Sequence, residues 1–335
     1  MVHDLLERPV LRDELSRRGL LTAMGAAGLL GAVGCAPAIP AGSSAPAVRT
    51  VTHPLGTSDI PVAPQRVVSL DSNGALQVSL ELGAPLIASE TLDGAVSLPG
   101  YLPAPPPGFT SLGFNKLNLE RLAELGPDLI IGNMQRVEEN YSKISAIAPT
   151  VPYENAGRGV DWREAVRVVG DVLGARAEVD RRLAGYAERA AAVASARAAA
   201  IQKFTVALLR FTNTELRIVR GGIFGSSILG HVGVRRPAST DLPGDNANYV
   251  SIAEETVGVV GDADVILYFI GGGGSELGTP RATFDRFTTG GLWQQLPAVR
   301  AGRVVELDPV AWWDGYSVSA ATVCLDELDK ALARF

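Results

Sequence analysis

One stretch limits what the rest of this chain can become. Residues 177–202, AEVDRRLAGYAERAAAVASARAAAIQ, contain no proline and one glycine, and alanine fills much of the segment. Alanine is the strongest helix former, so the segment predicts a helix of about 24 residues, roughly 36 Å long. Val179, Leu183, Tyr186, Ala190 and Val193 recur at helical spacing as one narrow apolar stripe. A stripe so narrow suits a rod laid across a surface, not a helix surrounded by core.

On both sides of this rod, β-rich runs alternate with helical patterns. RVVSLD (66–71), PLIASE (85–90), PDLIIGN (127–133) and TVPYEN (150–155) read as strands. GALQVSLELG, NLERLAELG and EENYSKISAIA between them read as helices. The five prolines of LPGYLPAPPPGFTS (98–111) make that insertion a surface loop. After the rod, KFTVALLRFT (203–212) and LRIVRG (216–221) predict a hairpin across Asn213-Thr214-Glu215, and SSILGHVG (226–233) a helix. ADVILYFIG (263–271) is a buried strand, RVVELD (303–308) another, and SVSAATVCLDELDKALARF a closing helix. The pattern is that of an α/β protein with two Rossmann-like lobes joined by a single long α-helix. Such folds place a ligand in the cleft between lobes, beyond the carboxyl ends of the strands.

Composition narrows the function. Thirty basic against thirty-six acidic residues give a formal charge of −6, which leaves no excess of positive charge for a nucleic-acid backbone. Two cysteines, Cys35 and Cys324, and three histidines, His3, His53 and His231, are too few for a disulfide framework or a Cys/His zinc site. The run Gly271-Gly272-Gly273-Gly274 has neither the spacing nor the lysine of a phosphate loop, and Ser226, Ser227 and His231 lack a nucleophile elbow. Hydrolase chemistry has no support.

The N-terminus is an address. From Leu20 to Gly34 runs a fifteen-residue apolar or small segment, too short to span a bilayer and directly preceded by Arg17 and Arg18. The pair resembles a twin-arginine export signal, and Ala32-Val33-Gly34-Cys35 resembles a lipobox whose cysteine becomes the acylated (palmitate-bearing) N-terminus of the mature chain. The expected organisation is a signal peptide over 1–34, a flexible Ala/Pro/Gly/Ser tether over 35–50, an N-terminal lobe over 51–176, the connecting helix over 177–202 and a C-terminal lobe over 203–335.

Several blocks, in order and spacing, carry a family likeness: RTVTHPLGTSDIPVAPQRVVSL (49–70), NLERLAELGPDLIIGNMQRVEENYSKISAIAPTV (118–151), VALLRFTNTELRIVRGGIFGSSILGHVGVRRP (206–237) and LWQQLPAVRAGRVVELDPVAWW (292–313). The chain resembles the iron-siderophore substrate-binding lipoproteins of ABC importers, most of all those taking ferric hydroxamate and citrate-hydroxamate chelates. The resemblance implies a monomeric receptor, anchored by lipid on the extracytoplasmic side of the cell membrane, that passes a ferric siderophore to ABC permease subunits. Its cargo is a preformed Fe(III) chelate, so no cofactor and no protein metal ligands are expected. Arginine forks suit the exposed oxygens of such a chelate and aromatic faces suit its spacers.

The residues expected at the ligand are Asn133, Arg136, Arg210, Arg217, Tyr249, Trp312 and Trp313, with Gln135 beside Arg136. Arg217 and Arg220 lie at odd spacing on one strand, so at most one faces the site; likewise one of Trp312 and Trp313 should stack and the other pack inward. Tyr141 reads more readily as a packing residue, and Trp162 as capping the cleft or packing beneath the helix WREAVRVVGDVLG. The resemblance also assigns Glu120 in one lobe, and Glu255 or its neighbour Glu254 in the other, to permease docking. Two other readings are a corrinoid or haem receptor of the same fold and a secreted α/β enzyme built on the glycine loop.

Overall fold

The computed structural model describes residues 47–92, 98–114, 117–155, 159–244, 246–273 and 280–335. The export signal at Arg17 and Arg18, the lipobox at Cys35 and Gly274 lie outside them. The tether expected to run to residue 50 ends earlier, because Val48 already opens a strand. β1 (Val48–His53) and β2 (Gly56–Pro61) form an antiparallel hairpin.

The first lobe is built on five parallel strands: β3 (Val67–Ser69), β4 (Leu86–Ser89), β5 (Thr110–Ser111), β6 (Leu129–Asn133) and β7 (Thr150–Tyr153). Their order is β5-β4-β3-β6-β7. The chain builds outward from β3 in one direction and then returns to build in the other, so a switch point lies between β3 and β6. The second lobe repeats the scheme with β8 (Val206–Phe211), β9 (Leu216–Val219), β10 (Tyr249–Ile252), β11 (Val265–Ile270) and β12 (Val304–Glu306), ordered β10-β9-β8-β11-β12. Here β8, β11 and β12 are parallel, and β9 and β10 add an antiparallel edge. Its switch point lies between β8 and β11. Loops diverge at such points and leave a crevice beyond the strand ends, so topology alone fixes where each lobe can bind.

Between the sheets come the helices Trp162–Val172, Arg176–Ala196 and Ala198–Lys203. The expected uninterrupted rod is therefore corrected to two helices turning at Arg197, whose guanidinium is held by Asp329 at 2.7 Å. The buried residues of the longer helix are Val179, Leu183, Tyr186, Ala190 and Val193, the stripe predicted from spacing. That stripe packs on Trp162–Val172 from one side and on the closing helix Val318–Leu332 from the other. One apolar core runs from the first sheet through this helix into the second. Trp162, 1% exposed, is its keystone, with Tyr186 and Phe224 edge-on at 5.3 and 5.1 Å. Cys324 lies buried in the closing helix as a free thiol.

Candidate ligand-binding cleft

Both switch points open onto one cleft of about 480 Å³. From the first lobe it is lined by Asn73 beyond β3, by Asn133, Gln135 and Arg136 beyond β6, by Asn155 beyond β7, and by Leu92 and Phe114. From the second come Arg210 on β8, Arg217 on β9, Ile223, Asn248, Gly273 beyond β11, and Trp313, Asp314 and Tyr316.

Arg210 is the most constrained of these. It is 3% exposed, its Nε donates to the Gly271 carbonyl at 2.9 Å, an Nη2 hydrogen goes to the Gly272 carbonyl, and its guanidinium lies 4.0 Å over the Trp313 ring. The glycine run makes this possible. Gly271, Gly272 and Gly273 have φ of 86°, 83° and 84°, a left-handed succession that residues with a Cβ rarely adopt. The turn aims two carbonyls at the guanidinium, and both Asp314 carboxylate oxygens accept from the Gly273 N–H at 3.0 Å. The glycine-rich loop thus serves an arginine clamp.

Arg210 and Arg217 are direct cross-strand partners on β8 and β9. Like charges directly opposite are costly in a sheet, so the pairing needs compensation. Arg217 has it in Glu215, whose Oε1 accepts from its Nε at 2.6 Å, and in the Tyr249 ring 3.9 Å beneath. The pair still presents two guanidiniums to one cleft. Arg220, on the other face, donates to the Leu242 carbonyl at 2.8 Å and holds that loop, so Arg217 is the arginine of β9 that faces the site.

The first lobe supplies the third arginine. Arg136 sits 5.5 Å over the Phe114 ring, with its Nε 3.6 Å from a carboxylate oxygen of Glu90. Glu90 is 3% exposed; burial pushes its carboxyl up to about 7, Arg136 pulling it down and Asp71 pushing it further up. Asn133 is buried, and its Oδ1 has no hydrogen-bond partner.

Two expected ligand contacts are corrected. Trp312 is fully buried, donating its indole N–H to Glu327 Oε2 at 2.7 Å, while Trp313 carries the stack in the cleft. Both lie in the helix Pro309–Asp314, where neighbours point about 100° apart, so one must turn inward. Tyr249 opens strand β10 and acts beneath Arg217 without lining the cleft.

Sequence reasoning missed Asp314 and its partners. The Asp314 carbonyl accepts from Asn73 Nδ2 at 2.8 Å and Gln77 Nε2 at 2.7 Å, and Gln77 Oε1 accepts from the Tyr316 N–H at 3.2 Å. These bonds tie the lobes together at the cleft floor. Asp71, equally buried, accepts from the Asn73 and Ala75 N–H groups at 3.1 and 3.0 Å and from the Tyr153 hydroxyl, which shapes the turn that presents Asn73. Asp-x-Asn after β3 and Asp-Gly-Tyr after the last tryptophan were the available signals.

The remaining candidates lie elsewhere. The Tyr141 hydroxyl meets His53 Nε2 at 3.2 Å against the β1–β2 hairpin. His231 Nδ1 is 2.6 Å from the Tyr186 hydroxyl, and neither histidine lines the cleft. Ser226 is buried and Ser227 donates to the Phe224 carbonyl at 2.6 Å. Glu120 is exposed in the first turn of the helix Leu119–Glu124, behind the Asn118 cap. Glu255 is exposed, whereas Glu254 faces Arg286 at 3.6 Å. Among the described residues, no three His, Cys, Asp or Glu side chains gather as a metal site.

Residues 103–311, more than half the chain, match the periplasmic binding protein family. The chain belongs to that family. It is accordingly a binding protein and not an enzyme. A probable siderophore-binding lipoprotein of Bacillus subtilis (strain 168), YfiY, is 30% identical over 288 residues, covering 84% of this chain and 86% of the relative. The siderophore periplasmic binding protein from the fuscachelin gene cluster of Thermobifida fusca superposes with a TM-score of 0.66 at 26% identity, covering 82% and 99% of the two chains. Staphylococcus aureus SirA, solved with staphyloferrin B, has the same fold, with a TM-score of 0.72 at 23% identity over 85% and 98%. The two-lobed α/β architecture expected from the alternation is the architecture of these binding proteins.

Proposed function

We propose that this periplasmic binding protein is an extracytoplasmic receptor that captures a ferric siderophore and delivers it to an ABC importer for iron uptake. The observation that carries the reading is the convergence of Arg136, Arg210 and Arg217 from two lobes on one cleft with Trp313 at its wall. Two of the three stand directly opposite each other in a sheet, an arrangement that an anionic, oxygen-rich ligand stabilises. A ferric chelate arrives with its metal already saturated by oxygens. Its receptor therefore needs donors for those oxygens and apolar surface for the spacers, and the cleft supplies both. The names of the relatives support the same ligand class.

Cys35 is the proposed lipidation site and Arg17-Arg18 the proposed export signal, which would hold a monomer on the outer face of the cell membrane. Glu120 and Glu255, exposed in separate lobes, are the proposed contacts for the permease, gripping both lobes at once. A haem ligand is less well served, because neither histidine lines the cleft.

The test is to incubate the purified protein with spent medium of its iron-starved host, re-isolate it and identify the bound species by mass. An iron-containing chelator is expected, its recovery reduced by Arg136→Ala. Recovery of a corrinoid, haem or nucleotide instead would reject the proposal.

A further inference from the structure

Glu90 is chemically out of place. It is 3% exposed behind the cleft wall, and its Oε2 accepts no hydrogen bond. A buried carboxylate with so little satisfaction is costly, and folds keep such groups paired. Its pairing is with Arg136, 3.6 Å away, and Arg136 lines the cleft where Glu90 does not. The other charged groups facing it from the described elements are Asp71 beyond β3 and Arg121 of the helix Leu119–Glu124, which shares a small pocket with it. Tyr153 of β7 reaches Asp71 and bonds it. One arginine therefore answers to two partners: a buried carboxylate behind it and whatever anion enters in front.

We infer that Glu90 is a positioning residue: it holds Arg136 in the ligand-free cleft, yields it to the anionic oxygens of the ligand, and takes up a proton from solvent as it does so. This rests on the proposed ferric-chelate reading. The proton balance follows from the surroundings. Drawing the guanidinium towards the ligand removes the partner that favours the charged carboxyl, and the ligand's negative charge disfavours it further. Glu90 then accepts one proton at a carboxylate oxygen, and no bond of the ligand is altered. Since burial already brings the ligand-free carboxyl to about 7, little driving force is needed near neutral pH. Capture of an anionic chelate should tighten as pH falls to about 7 and level off below that.

Two measurements test this. In ligand-free protein labelled with carbon-13 at the glutamate carboxyls, the resonance lost in Glu90→Gln should titrate near 7. It should move upward in Arg136→Gln. A resonance titrating near the ordinary 4.5 and unmoved by Arg136→Gln would overturn the inference.

Calorimetric titration with ferric citrate, in two buffers of different ionisation enthalpy at about pH 7.5, should then show uptake of up to about one proton, absent in Glu90→Gln. The parent's affinity should fall by up to about tenfold per pH unit above neutrality, and that of Glu90→Gln should stay flat. Equal proton uptake in parent and variant would also overturn it. Should ferric citrate fail to bind at any pH, the failure would count against the chelate reading, while the ligand-free titration still decides whether Glu90 holds Arg136.

Discussion

Arg210→Ala removes a side chain that works for the fold and for the ligand at once. The guanidinium makes two bonds to the carbonyls of Gly271 and Gly272 and lies 4.0 Å over Trp313, all at a site 3% exposed. Two charge-assisted bonds and a largely desolvated stacking contact, less the cost of desolvating the guanidinium, contribute about 2–4 kcal/mol to stability. For a chain of this size that corresponds to a melting temperature lower by roughly 3–7 °C. In the cleft, loss of one charged donor should weaken a ferric chelate by about 2–3 kcal/mol, roughly 30–150-fold. Thermal unfolding of the ligand-free protein and fluorescence titration of Trp313 separate the two effects. Arg210→Lys should recover part of the affinity but little of the melting temperature, because one ammonium cannot hold both carbonyls and cover the ring. An unchanged melting temperature would refute the clamp. A lower one with unchanged affinity would confine Arg210 to the loop and remove it from the ligand.

Other substitutions separate neighbours that the sequence leaves equivalent. Trp312→Ala should cost about 3–5 kcal/mol in chemical unfolding, as a fully buried ring is lost, whereas Trp313→Ala should chiefly weaken ligand binding; the reverse ranking would invert their assigned places. Burial holds His231 below the usual imidazole value of 6.5, with Arg163 pushing the same way and Asp161 opposing. The folded protein then binds fewer protons than the unfolded chain just below that value, so stability is complete above 6.5 and is lost as pH falls through the folded value. Melting curves should show the acid-side loss shrink in His231→Gln, and an undiminished loss would exclude this histidine as a source. Charge reversal by Glu120→Arg with Glu255→Arg should leave binding in solution intact and stop uptake in cells; weakened binding in solution would reject the docking role.

Much of the fold was legible because it rests on periodicity. The stripe from Val179 to Val193 needed only helical spacing, and the hairpin across Asn213-Thr214-Glu215 only two β-rich runs with a polar turn. The turn at Arg197 was not legible: no proline or glycine marks it, and its partner Asp329 lies far along the chain. At the site, arginine in the apolar run of β8 pointed to Arg210. What escaped were residues whose importance comes from distant partners. Glu90 reads as an ordinary strand-end carboxylate until Arg136 is seen beside it. Asp314 reads as a turn residue until Gly273, Asn73 and Gln77 meet it. The choice between Trp312 and Trp313 turned on where their helix begins, which Asp308 fixes by accepting from the Val310 N–H at 2.9 Å.

The central claim is that three arginines and a tryptophan recognise an iron-loaded anionic chelate. The most direct test is calorimetric titration of the purified protein with hydroxamate and carboxylate siderophores, each in its ferric and iron-free form. At least one ferric chelate should bind with a dissociation constant below about 1 µM and far more tightly than its iron-free form, with the affinity lost in the triple variant of Arg136, Arg210 and Arg217 to glutamine. Binding of no ferric chelate, or equal binding by the triple variant, would contradict the claim.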